Sequence, residues 1–283
     1  MIRIRKHKKV KNLLLVVMVL SFGLIHAQRK PKIKGNKNVI EVLEALPAFH
    51  TIELKDDLEI HIDNASSVSY SIVGDDNLID VLRFRVVDST LIISSFYKIT
   101  AKKQLDITVN YIHLKSIIVR DGSLIGNQRI LTDELSIMAS GVARVDLAAD
   151  SPMAQISLEE NSKANLNIQA DSLNLALKDK ASIQLYASTT QHAVKMGGNT
   201  VATLEGNSDT LNINLKESAN LKAQKLEAAA IRLETGETAV ARIYGYRDLE
   251  LLATGAARTY LYGNPKIIIT AFEDSAELHK ESE

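Results

Sequence analysis

Apolar and polar residues alternate with period two along most of the chain. Leu173-Asn174-Leu175-Ala176-Leu177, Leu211-Asn212-Ile213-Asn214-Leu215 and Ala164-Asn165-Leu166-Asn167-Ile168 are the clearest stretches. Such alternation predicts strands with one buried face and one wet face. No long window carries a helical stripe. Ala228 to Leu233 has helix-forming composition but falls in a strand position, and Asp75 to Asp80 reads as a helical turn.

The strands recur at a fixed interval. Small residues stand at Ser123, Ala143, Ala164, Ala181, Ala202, Ala219, Ala239, Ala257 and Ala276, on average about 19 residues apart. Six places before them stand Ile117, Ile137, Leu158, Leu175, Met196, Ile213, Leu233 and Leu251; the ninth, Thr270, breaks the column. Two places before them stand Asp121, Gly141, Ser162, Asp179, Thr200, Glu217, Glu237, Gly255 and Asp274, polar or Gly as a turn requires. One coil of this length cannot bury its apolar face alone, but stacked coils can. The pattern therefore predicts an all-β, single-domain parallel β-solenoid, a right-handed β-helix-like rod of about 19 residues per coil. An antiparallel sandwich also uses short strands, yet only Asp121-Gly122 offers a tight hairpin turn. The small column suits a tight corner.

Residues 47–283 make up the solenoid domain, with 47–115 as less regular first coils and 116–280 as regular ones. The closing Leu278-His279-Lys280-Glu281 carries charge that would blunt an open end. Residues 28–46 read as a polar linker, because Arg29-Lys30-Pro31-Lys32-Ile33-Lys34 is a basic cluster followed by Gly and Asn.

Residues 1–27 have the layout of a signal peptide. A basic start precedes the apolar run Leu13–Leu20, and small Ala27 precedes the cut, after Ala27 or Gln28. The apolar stretch falls short of the roughly 20 residues that span a bilayer. The mature chain is thus expected outside the cytoplasm, in the periplasm or on the surface of a Gram-negative cell, with no membrane span.

Charge and composition narrow the function. The chain has 34 basic and 34 acidic residues, but six of the basic ones lie in 1–27; removing them leaves 28 against 34, or −6. A mildly acidic chain argues against nucleic acid as a partner. The absence of Cys excludes disulfides, thiolate metal sites, Cys nucleophiles and a lipoprotein anchor.

The motifs at 49–280 are also familiar in order. Phe49-x-x-Ile52-x-Leu54 leads into Leu58-Glu59-Ile60-His61-Ile62, then Gly74-Asp75-Asp76-Asn77-Leu78-Ile79, Ser89-Thr90-Leu91-Ile92-Ile93, Leu105-x-Ile107-x-Val109 and Tyr260-Leu261-Tyr262-Gly263-Asn264-Pro265-Lys266. Together they resemble the head-GIN domain family of autotransporter-type adhesin heads, exported proteins of Bacteroidetes. The resemblance implies surface adhesion and carries over no catalytic residue and no cofactor. The Ser-Gly-Ser-Gly corners frequent in that family are replaced here by Asp121-Gly122-Ser123, Ser140-Gly141 and Thr254-Gly255.

No nucleophile elbow, phosphate loop or zinc-protease motif occurs. Gly197-Gly198-Asn199 lacks the Asp of a calcium-binding repeat. His50, His61, His113, His192 and His279 are dispersed and read as surface or strand-face residues. Asp146, Glu159, Glu160, Asp179, Glu205, Glu217 and Glu237 are the acids a polysaccharide enzyme would need, but three of them fall in the turn column, and no long insertion walls a cleft. Catalytic, cofactor and metal residues are thus expected to be none. Tyr244, Tyr246, Tyr260 and Tyr262, on neighbouring coils, form a candidate contact patch. The reading is a non-enzymatic, adhesin-like or envelope-associated protein that binds a glycan or protein through extended faces. A self-associating periplasmic structural protein and a carbohydrate-active β-helix enzyme are the alternatives.

Overall fold

The computed structural model describes residues 30–282. The signal peptide read at 1–27 lies outside these residues. The described part holds one short helix and 23 strands. The first strands are β1 (Lys32–Lys34), β2 (Val39–Ala45), β3 (Thr51–Leu54), β4 (Glu59–Asn64) and β5 (Ser69–Asp75), followed by α1 (Asp76–Ile79). Next come β6 (Leu82–Val87), β7 (Thr90–Ser95), β8 (Lys98–Ala101), β9 (Leu105–Tyr111), β10 (Ser116–Val119), β11 (Ser123–Gly126) and β12 (Ile130–Leu131). The regular coils hold β13 (Glu134–Ala139), β14 (Arg144–Asp150), β15 (Met153–Leu158), β16 (Lys163–Leu177), β17 (Ser182–Met196), β18 (Val201–Leu215), β19 (Asn220–Thr235) and β20 (Val240–Ala253). The chain closes with β21 (Arg258–Tyr262), β22 (Lys266–Phe272) and β23 (Glu277–Lys280).

The solenoid forms because every rung repeats the same three parts. A straight run ends in a four-residue turn, a second run follows, and a bend leads to the next rung. Successive rungs pair in parallel through both runs, as in Ala164↔Ile183 and Leu175↔Val194. The inward columns of both runs merge into one buried core.

The turns show why acids recur there. Gly141, Glu160, Asp179, Gly198, Glu217, Glu237, Gly255 and Asp274 all have positive φ. This conformation costs an L-residue roughly 1–2 kcal/mol. Hydrogen bonds between rungs offset part of it. Glu160 accepts from the Gly141 amide at 2.7 Å, Asp179 from Glu160 at 3.1 Å and Asp274 from Gly255 at 3.0 Å. Each carboxylate thus satisfies a turn N–H that the ladder leaves free.

This register corrects the sequence columns at four rungs. Val145 pairs with Ala164, which pairs with Ile183, then Ala202. Ala164 and Ala202 therefore stand two places past the corner, whose true members are Ser162 and Thr200, both fully buried. The turn residues there are Glu160 and Gly198, and the aliphatic partners are Ile156 and Val194. Ser123 pairs with Arg144 and so stands one place past the corner. At the last rung Ile269, not Thr270, pairs with Leu251, and a bulge follows. A two-residue slip keeps every side chain on its own face, so alternation alone does not detect it.

Residues 30–46 differ from a solvated linker. Strand β1 pairs in parallel with β8, and β2 pairs antiparallel with β5. Lys30 donates to Asp56 and to the Ser95 carbonyl. The basic composition hides short strands that the free edges of β5 and β8 recruit.

The first coils are not stacked in chain order. Strand β3 lies between β7 and β10, and β4 between β9 and β11. The chain builds this rung, travels outward to make the cap and the end rung, then passes over its first rung to continue. Strands β5 and β6 close that end, with the Tyr70 and Phe84 rings stacked at 4.0 Å and Leu78 of α1 fully buried. Asn38 donates to Asp76 at 2.7 Å, and this bond, with that from Asn36, holds the exposed Asp76 carboxyl below its usual range. Burial, helped by a bond to Glu44, pushes the Tyr70 hydroxyl up to about 12.

Candidate binding faces

The outward side chains of the solenoid form continuous columns, because each rung places them in register with the last. On the first run, Asp146, Asn165, Gln184, Thr203 and Lys222 stand in line. Beside them run Ala148, Asn167, Tyr186 and Glu205. All of these but Lys222 line an open depression of about 590 Å³. Ala148 and Gly126 have little or no side chain to fill it, and Tyr186, half exposed, rises within it.

The depression's polar groups are partly held in place. Asn165 donates to Asp146 at 3.1 Å, and Arg129 to Asn167 at 3.3 Å. Arg129 also pairs with Asp150, and Lys225 with Glu205 at 3.2 Å. These exposed ion pairs orient the rim and add little stability. The second run carries a comparable row, Gln155, Asn174, Ala193, Asn212 and Arg232, along a second hollow of about 490 Å³.

The four tyrosines read from the sequence are placed as follows. Tyr244 and Tyr262 stand side by side on neighbouring rungs. Tyr260 lies between Arg242, whose guanidinium is 4.9 Å from the ring centre, and His279, stacked at 5.0 Å. Both faces of Tyr260 are therefore used within its own column. Tyr246, two residues past Tyr244 on β20, is exposed at the bend. Asp146 and Glu205 were read from the sequence only as candidate acids and Tyr186 only as a candidate ring for sugar stacking, whereas Asn165, Gln184 and Thr203 beside them were not singled out as binding residues. Their signal is the 19-residue spacing of Asp146, Asn165, Gln184 and Thr203, legible once the register is right.

The acidic residues fall in two places. Asp146 and Glu205 lie three rungs apart, about 14 Å at the usual strand spacing. The carboxylate pairs of glycosidases stand roughly 5–9.5 Å apart. Glu160, Asp179, Glu217 and Glu237 sit on the turn edge, and none lines the depressions above. Glu159 pairs with Lys178 at 2.7 Å, which raises the pKa of the exposed lysine. Among the described residues no three His, Asp or Glu side chains converge as a metal site. His192, read as a surface or strand-face residue, is instead buried in the core, and neither ring nitrogen has a partner among the described residues.

Comparison with known families places this fold. The model described as "Putative auto-transporter adhesin, head GIN domain" matches residues 48–193 and 153–265, well over half of the chain. The chain belongs to the head GIN domain family. The two matches overlap at 153–193, as a repeat allows when one unit aligns at more than one rung. Among solved structures, a "putative adhesin" from Parabacteroides merdae is 14% identical with a TM-score of 0.67, covering 89% of this chain and 99% of its own. Another from Parabacteroides distasonis is 13% identical with a TM-score of 0.66, covering 88% and 99%. A "Putative lipid binding protein" from the same species is 16% identical with a TM-score of 0.62, covering 88% and 99%. At these identities the likeness speaks to the fold. No curated protein matches the chain. Among the described residues no helix is long and apolar enough to cross a membrane.

Proposed function

We propose that this head GIN protein is an exported, non-enzymatic binder that holds a glycan chain along the first-run face. Residues 1–27 would direct export, and the protein would act in the periplasm or at the surface of a Gram-negative cell. One observation carries the reading: polar side chains repeat rung by rung at Asp146, Asn165, Gln184 and Thr203, with the half-exposed ring of Tyr186 beside them. Amides and carboxylates offer directional bonds to hydroxyls, and an aromatic ring offers an apolar face. A polymer lying along the solenoid axis meets similar chemistry at each rung. The open shape suits an extended ligand better than a small one, which prefers an enclosed pocket.

The test starts with a glycan array probed with the protein purified after export. The strongest glycan retained is then titrated calorimetrically. Tyr186→Ala and Asn165→Ala are each expected to weaken its binding by about tenfold, the cost of roughly 1.4 kcal/mol. Tyr260→Ala, whose ring is engaged within its own column, is expected to leave it nearly unchanged. Retention of no glycan, or equal affinity for all three variants, counts against the reading. Protease shaving of intact cells, with a periplasmic control, separates the two compartments.

A further inference from the structure

The two ends of the solenoid differ. The end bearing β5, β6 and α1 is capped, whereas β22 at the other end pairs, among the described residues, only with β20. Ile267, Ile269 and Phe272 of β22 continue the inward columns of Leu249, Leu251 and Ala253. In the earlier rungs those columns are fully covered. Here the three side chains are 42%, 52% and 43% exposed, and outward Ile268 is 50% exposed. The charge of Leu278–Glu281 therefore does not blunt this edge, because it sits on β23 and leaves β22 bare. A long apolar edge strand is a template for another strand.

We propose that β22 pairs antiparallel with β22 of a second copy of this chain, making a symmetric dimer joined end to end. The strand is self-complementary. Pairing about the Ile269–Thr270 bond sets Lys266 opposite Glu273, Ile267 opposite Phe272 and Ile268 opposite Ala271. Residues directly opposite in an antiparallel pair must share a face. In a regular strand Ile267 and Phe272, five places apart, would lie on opposite faces. The bulge between Ile269 and Ala271 adds one residue at the centre of this pairing, so both point inward. Lys266 and Glu273 then share the outward face, and symmetry makes this contact twice. Continuing the two inward columns across the junction covers the exposed isoleucines and Phe272. Each copy has one β22 edge and the two-fold pairing uses both, so assembly stops at two copies and does not run on as a fibre.

Sedimentation equilibrium of the purified exported protein tests this over a wide concentration range. The wild type is expected to be a dimer. Lys266→Glu or Glu273→Lys places like charges opposite each other twice and is expected to weaken the dimer by about tenfold or more. The double variant Lys266→Glu/Glu273→Lys restores opposite charges and is expected to recover dimerisation. Circular dichroism melts of each variant check that the monomer still folds. A monomeric wild type, single variants that dimerise as well as wild type, or a folded double variant that fails to recover would each overturn the proposal. The glycan titration above reads a face several rungs away, so the two readings fail independently.

Discussion

Gly206→Ala is expected to cost about 4 kcal/mol of stability, the sum of a strained backbone and an unrelieved clash. Gly206 has φ of 115°, far beyond the values near 60° that Glu160, Asp179 and Glu217 adopt in the turns. Those turns show that this solenoid tolerates left-handed L-residues. It does so only in the well where a side chain is merely disfavoured. An alanine Cβ at Gly206 would stand 2.0 Å from the Ala187 carbonyl oxygen and 2.9 Å from its carbon. That carbonyl belongs to the neighbouring rung, so it does not swing aside as a flexible side chain would. The bulge where β18 meets β19 occurs at the same level, which explains why the backbone needs this shape. Gly197→Ala supplies the control. Its Cβ would meet only Glu217 Oε1 at 3.8 Å, and the change should stay within about 0.5 kcal/mol. Urea midpoints for the two variants and the wild type decide the matter. A Gly206→Ala midpoint equal to that of Gly197→Ala would show that the rung relaxes around the extra methyl. Because each rung touches only its neighbours, hydrogen exchange should show the loss concentrated in β17 to β19.

The repeat was legible in the sequence because inward aliphatic residues and polar turn residues recur at nearly one interval. Its register was not. Ala164 and Ala202 resemble corner alanines in every local respect, and slipping two residues preserves the alternation. Only the backbone pairing shows that Ser162 and Thr200 occupy those corners. The same slip hid the row Asp146, Asn165, Gln184 and Thr203, whose regularity appears only in correct register. The first rung's position between two later segments had no local signal, since nothing in Thr51–Leu54 states which strands flank it. The tyrosines were visible as a cluster, but the stacking of Arg242 and His279 on Tyr260 depends on neighbours some 18 and 19 residues away in the chain. The exposed edge at Lys266–Phe272 reads in sequence as one more buried strand. What distinguishes it is that no further rung lies beyond it among the described residues.

His192→Leu should stabilise the protein and flatten the acid side of its stability profile. The imidazole stands in an inward column between Leu173 and Leu211 and is wholly buried. Neither ring nitrogen has a hydrogen-bond partner among the described residues. Burying such a group unpaired costs roughly 1–3 kcal/mol, which leucine of similar size avoids. Burial also pushes the imidazole pKa down from 6.5 to about 4. The unfolded chain therefore binds a proton between these values while the folded protein does not. Stability is whole above the unfolded pKa, falls as the pH drops through that window, and levels off below the folded pKa. A shift of this size corresponds to about 3 kcal/mol. Urea titrations at pH 7.5 and 4.5 compare the two proteins, and carboxylate titration is common to both. The wild type should lose about 2–3 kcal/mol more than His192→Leu across that interval. Parallel losses would mean that the imidazole finds a partner or water when protonated. A leucine variant less stable at pH 7.5 would mean that the ring's shape matters to the packing between Leu173 and Leu211 more than its unpaired nitrogens cost.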